Sequence, residues 1–221
     1  MKKSKTKRTD EQKNSMVRTR RNAEILAEAK SYFVEKGIEH STMEDIAVRV
    51  GVTRQTLYRY YKSKEDLALA VEIEVLHALL GRLNDLFSAS AGLTVPLMET
   101  IFDEAVVQFI EEYEEELRYT AIFDTYFLQY SHKSYIEQMK ETLRSYPNSF
   151  SSLISKEQKR GTISSSLDPL LTGEMISHSM LSLCQRVLLR REALRAEYGI
   201  DPIVLVPLQL KIFIRGLATP D

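Results

Sequence analysis

Apolar residues recur every three to four positions along most of this chain, and the pattern is punctuated by a few glycines, prolines and capping residues. Ile25, Leu26, Ala29, Phe33 and Val34 mark one helical face that ends at Gly37, predicting a first helix over 18–36. Thr42, with Asp45 three residues on, caps a short second helix whose inner face is Ile46, Ala47 and Val50 and which stops at Gly51. Thr53 caps a third, TRQTLYRYY, and Ser63 with Asp66 caps a fourth that runs from Lys64 to about Leu86. A linker follows over 88–95. Next come a helix from Pro96 to about Glu116 with Ile101, Phe102, Ala105, Phe109 and Ile110 inward, and an aromatic stretch over 119–132. A helical pattern over 134–159 is kinked or broken at Pro147. Asp168 and Pro169 open a long helix over 169–196, and GIDP at 199–202 opens a last one in which Pro207 shifts the start.

These elements predict an all-α chain: an N-terminal three-helix unit over 18–66, then a larger helical domain over 67–221, preceded by a disordered basic arm over 1–17. Composition agrees. The 221 residues are 43% hydrophobic, enough to fill a core, and hold only 8 glycines and 6 prolines. The single cysteine, Cys184, excludes an internal disulfide, and no Cys/His cluster has zinc spacing. No apolar run has the length of a membrane span, and no apolar segment follows the basic N-terminus as in a secretory signal, so the expected place is the cytoplasm.

The net charge of −1 conceals an asymmetry. Residues 1–64 hold 16 Lys/Arg against 8 Asp/Glu, whereas 65–221 hold 14 against 23. A basic end on an acidic chain points to nucleic acid. A solvated basic tail is the plainer reading of charge alone.

The third helix sharpens the choice. Leu57 is the only aliphatic residue between Val52 and Leu67, and three tyrosines and four cations surround it. Ala47, Gly51 and Leu57 stand where a helix-turn-helix needs a small crossing residue, a turn residue of positive φ, and an apolar anchor. With Leu57 inward, the outer face offers Thr53, Arg54, Gln55, Thr56, Tyr58 and Arg59 to a major groove. Arg54 suits guanine, Gln55 adenine, and Thr56 a thymine methyl or phosphate. Tyr58, Tyr60 and Lys64 suit phosphates, and Thr42 with the start of the second helix holds another. Tyr60 and Tyr61 are also placed to pack under the first and fourth helices.

The stretch AKSYFVEKGIEHSTMEDIAVRVGVTRQTLYRYYKSKEDLALAV resembles the DNA-binding domain of the TetR (tetracycline-repressor-like) family of bacterial transcription regulators. The resemblance spans roughly residues 22–72. It implies contacts to double-stranded operator DNA from Thr42, Arg54, Gln55, Thr56, Tyr58, Tyr60 and Lys64. It also implies a homodimer, a palindromic operator, and repression relieved by a small-molecule effector. The basic arm, with Lys2, Lys3, Lys5, Lys7, Arg8, Lys13, Arg18, Arg20 and Arg21 preceding or opening the first helix, adds to the usual pattern and is expected to follow the DNA backbone or minor groove.

In the C-terminal part, Ile176, Met180, Leu183, Cys184 and Val187 share one face, as do Leu205, Leu208, Ile212 and Leu217. These faces fit a dimeric four-helix bundle or a single-chain core. The aromatic residues Phe102, Phe109, Phe123, Tyr126, Phe127 and Tyr130, with His178, are the candidate ligand pocket; a filled core there would instead suit a DNA-binding factor without an effector. Asp124 favours a cationic or hydrogen-bond-donating ligand if buried, and by itself carries no meaning if exposed. No catalytic residue, cofactor or metal site is expected, because phosphate loops, ligand clusters and nucleophile motifs are missing.

Overall fold

The structure, a computed structural model, describes the backbone of residues 2–90, 95–130, 133–145 and 149–218, and the side chains of 15–86, 101–127, 135–144 and 150–218. The described residues are helical almost throughout. The chain divides into two compact units: Met1–Glu74 with Ile122–Tyr130, and Val75–Ala121 with Ser131–Asp221.

Unit one holds α1 (Lys2–Lys36), α2 (Met43–Val50), α3 (Arg54–Tyr60), the start of α4 (Lys64–Ser90) and the end of α6 (Glu114–Tyr130). Of the positions read as inward from the periodicity, Ile25, Leu26, Ala29, Phe33, Ile46, Ala47 and Leu57 are buried, whereas Val34 and Val50 are half-buried; Ile38, Leu67 and Ala68 complete the core. The turns are built as their residues require. Gly51 adopts φ 71°, and its N–H reaches the Val48 carbonyl while Val52 N–H reaches that of Ala47, closing the end of α2. Arg49 ties α2 to α1 through Glu28 (3.3 Å), Glu35 (2.7 Å) and Ser31 (3.2 Å) and lies over the Tyr32 ring. α1 starts at Lys2, inside the stretch whose composition predicts a disordered arm. That stretch is free of glycine and proline, so nothing in its covalent structure interrupts a helix.

Unit two holds the rest of α4 and α6, with α5 (Val95–Glu112), α7 (Lys133–Ser145), α8 (Ser149–Arg160), α9 (Pro169–Leu189), α10 (Arg191–Tyr198), a 3-10 turn (Pro202–Val204) and α11 (Leu205–Leu217). α9 packs on α8 and α11, and α11 on α5. Asp168 caps α9 by accepting from Leu171 N–H (2.8 Å), with Pro169 in the first turn as expected. Pro207 sits in the first turn of α11, where its missing N–H has no helical partner to lose. The break expected at Pro147 falls between α7 and α8, although Pro147 itself lies outside the described residues.

Two boundaries differ from expectation. The helix read over 96–116 ends at Glu112, and α6 restarts at Glu114 with Glu115 and Glu116 in its first turn, where three carboxylates meet the positive helix end. The helix read over 169–196 breaks at Arg190 (φ −115°, ψ 18°), so Leu188 and Leu194 are buried from two separate helices.

Candidate nucleic-acid interface

α3 is short because its sequence can bury only one side chain. Leu57 is fully buried, and Tyr61, beyond the helix end, leaves helical geometry. Thr53 starts the helix: its Oγ1 accepts from Thr56 N–H (3.1 Å) and lies 2.8 Å from Thr56 Oγ1. Thr42 does the same for α2, accepting from Asp45 N–H (3.2 Å) and donating to the Asp45 carboxylate (2.6 Å). Both threonines, read as DNA contacts, therefore also serve as caps, and Thr56 is half-buried with its hydroxyl drawn into the cap.

With Leu57 inward, Thr53, Arg54, Gln55, Tyr58 and Arg59 are exposed. Arg54 is not idle. It pairs with Glu44 of α2 and lies over the Tyr58 ring, 5.3 Å from its centroid. The Tyr58 hydroxyl and the Glu44 carboxylate both raise its pKa, so it stays charged under all relevant conditions. Ten residues from Arg54, Glu44 gives no periodic signal in the sequence that would pair it with this arginine.

The other candidates lie off this face. Tyr60 is half-buried beneath Arg18 of α1, whose guanidinium is 6.0 Å from the ring centroid. Tyr61 donates to Asn22 (2.7 Å), and burial raises its pKa; it packs on α1, one of the two placements open to it in the sequence. Ser15, Arg18, Thr19, Asn22, Tyr60 and Tyr61 line an open polar groove of about 320 Å³. Lys64 donates to the Glu39 carbonyl (3.0 Å) and sits over the Tyr126 ring.

The profile of the family described as "Bacterial regulatory proteins, tetR family" matches residues 25–71, the stretch holding α2, α3 and their supporting core. Over this stretch the chain is similar to the tetR family. Among relatives, the HTH-type transcriptional repressor BepR of Brucella suis is 22% identical over 204 residues, covering 89% of this chain and 91% of BepR. The transcriptional activator FasR of Mycolicibacterium smegmatis is 38% identical over 58 residues, 26% of this chain and 26% of FasR's own length. The regulator FadR of Bacillus subtilis, solved with stearoyl-CoA, shares the fold at TM-score 0.64 and 19% identity, over 88% of this chain and 98% of FadR. The tetR resemblance is thus carried residue by residue in the N-terminal unit and by fold alone beyond it.

The aromatic residues read as a ligand pocket divide between the units. Phe123, Tyr126 and Phe127 are buried together in unit one, with Phe123 and Phe127 centroids 4.2 Å apart. Phe102 and Phe109 are buried in unit two, where Phe109 stacks on Tyr113. The Tyr126 hydroxyl is committed to Glu65 (2.9 Å). Burial works against the Glu65 carboxylate, but hydrogen bonds from its own backbone N–H and from Tyr126 prevail and keep its pKa below the ordinary value. His178 is a correction: its side chain is 79% exposed on α9 and faces Glu174 at 3.6 Å, one turn away, so in the single chain it lines no enclosed space. The Tyr130 side chain lies outside the described residues. Asp124 is exposed. Among the described residues no group of three metal-ligating side chains forms, and no helix is long and apolar enough to cross a membrane.

Proposed function

We propose that this chain is a ligand-responsive transcriptional regulator of the cytoplasm, acting as a repressor. As a homodimer it binds a palindromic operator through α3 and leaves it when a small-molecule effector binds. The observation that carries the reading is the solvent face of α3. A helix whose only aliphatic anchor is buried presents Thr53, Arg54, Gln55 and Tyr58 outward, within the stretch that matches the tetR profile. Those side chains supply a guanine fork, an adenine-pairing amide and phosphate donors. Thr42, Thr56, Tyr60 and Lys64 flank that face as phosphate contacts. Repression is supported by BepR, a repressor matched along nearly the whole chain.

The dimer is supported by an exposed apolar row in unit two: Leu171 and Met175 on α9, and Val204, Leu208 and Ile212 four residues apart at α11. On α9 the row differs from the face read in the sequence, because Ile176, Cys184 and Val187 are buried within the chain; on α11 it keeps Leu208 and Ile212 of the face read there. A second copy is the occupant proposed for it.

The test is selection of bound fragments from the source genome, followed by anisotropy titration of the recovered sequence against random competitor. A twofold-symmetric sequence bound at least about a thousandfold tighter than competitor is the expected result. Equal binding to both would overturn the reading.

A further inference from the structure

The chemical class of the effector is indicated by a residue that the sequence reading passed over. Glu72 of α4 is 3% exposed, and its Oε2 has no hydrogen-bond partner among the described residues. Glu65 and Glu72 stand seven residues apart, on one face of α4. Glu65 is already held by Tyr126 of the α6 segment in the same unit. From that segment Asp124, one helical position from Phe123, brings a second carboxylate near enough to disfavour the charged form of Glu72, while itself reaching the surface.

Resting on the effector reading above, we infer that Glu72 and Asp124 recognise a small organic cation bearing N–H donors, such as a primary ammonium group. The surface carboxylate meets the cation first, and the buried one takes its N–H. A purely structural role explains the pair poorly. Burial and Asp124 both act against the Glu72 carboxylate and together push its pKa up to about 8. An apolar residue or an amide would fill the position without that cost. An ammonium ion reverses both effects, because it supplies the donor that Oε2 lacks and a charge that two carboxylates share. An anionic ligand meets the opposite field. Binding is balanced by a proton: Glu72 is mainly protonated at pH 7, its O–H bond breaks as the ammonium N–H moves in, and the proton leaves to buffer.

The test uses the full-length chain with dansylcadaverine, which has a free primary amine. Its neutral N-acetyl derivative and stearoyl-CoA serve as comparisons. Fluorescence titration is expected to show the amine binding at least about tenfold tighter than the acetylated form. Glu72→Gln is expected to weaken the amine by about tenfold or more, and Asp124→Asn by several-fold. Calorimetry at pH 7 in two buffers of different ionisation enthalpy is expected to show a proton released by the native chain and none by Glu72→Gln. Failure of the amine to bind, equal binding of the amine and its acetyl derivative, or equal affinity in native and Glu72→Gln protein overturns the inference. Should Glu72→Gln fold poorly, as judged by circular dichroism, the exposed Asp124→Asn decides in its place. Stearoyl-CoA releasing the operator while the amine is inert would sink this inference and leave the effector reading standing. The amine binding through Glu72 without altering operator affinity would do the reverse.

Discussion

At the scale of single residues, Arg54 has two partners in the free protein and would exchange both for a base. Its guanidinium is shared between Glu44 and the Tyr58 ring, so DNA binding requires that it turn outward. Both partners are at the surface, where such pairs contribute little, and the exchange is therefore easy. Arg54→Ala is expected to weaken operator binding about ten- to hundredfold and to relax preference at one base pair per half-site, read by titrating single-base operator variants. Glu44→Gln is expected to leave specificity in place and to tighten binding slightly, since it removes a competitor and a negative charge. Glu72 gives the second residue-level prediction. Its folded pKa, about 8, lies above the ordinary 4.5, so the folded chain holds a proton that the unfolded chain has lost. Stability therefore falls as pH rises from about 4.5 to about 8, and the loss is on the order of 2–5 kcal/mol. Glu72→Gln removes the titration: its melting temperature is expected to exceed the native value at pH 8, with the gap closing at pH 5. Neither feature was legible in the sequence. Glu72 and Glu74 alternate with apolar neighbours and look alike as letters, yet one is buried and the other exposed. The difference comes from which side of α4 the α6 segment covers, a contact between residues about fifty positions apart.

At the scale of elements, the short helices were legible because their signals are local. A threonine cap, a glycine C-terminus and one buried leucine each act within four or five residues, so Thr42, Gly51, Thr53 and Leu57 could be placed from the letters alone. The breaks at Tyr113 and Arg190 were not legible, since neither site has a glycine or proline and nearby ion pairs come from distant residues. Arg191, for instance, is fixed by Asp201 (2.6 Å) and lies near Glu114. The turn between α2 and α3 can be tested directly. Among the described residues, no atom beyond its chain neighbours lies within 4 Å of the position a Cβ would take on Gly51, so any cost of Gly51→Ala comes from its φ of 71° rather than from a clash. Thermal melts are expected to show a loss of about 1 kcal/mol for Gly51→Ala and less for Gly51→Asn, because asparagine tolerates left-handed backbone. Equal losses from the two would point to packing instead of backbone strain.

At the scale of the whole molecule, a recognition helix of seven residues is too small to select a site alone, and the proposed twofold supplies what it lacks. Two half-sites bound together behave as one site of much higher affinity, because the second contact is made at high effective concentration. The charge asymmetry fits this division: the first 64 residues carry a positive excess that would meet phosphates, and the acidic remainder would be repelled by them. If the apolar row at α9 and α11 joins the two copies, a charge placed in it must act on DNA binding from a distance. Ile212 is 61% exposed and sits one turn beyond Leu208, so an aspartate there faces water in the single chain and leaves its fold intact. In the dimer the same aspartate is buried opposite apolar side chains, with its own symmetry mate nearby. Ile212→Asp is therefore expected to sediment as a monomer with an unchanged circular dichroism spectrum. Its operator affinity should fall by about 10²–10⁴, while binding to a single half-site is unaffected. A variant that remained dimeric with native operator affinity would place the twofold on another face, and loss of helical signal would show that Ile212 supports the single chain instead.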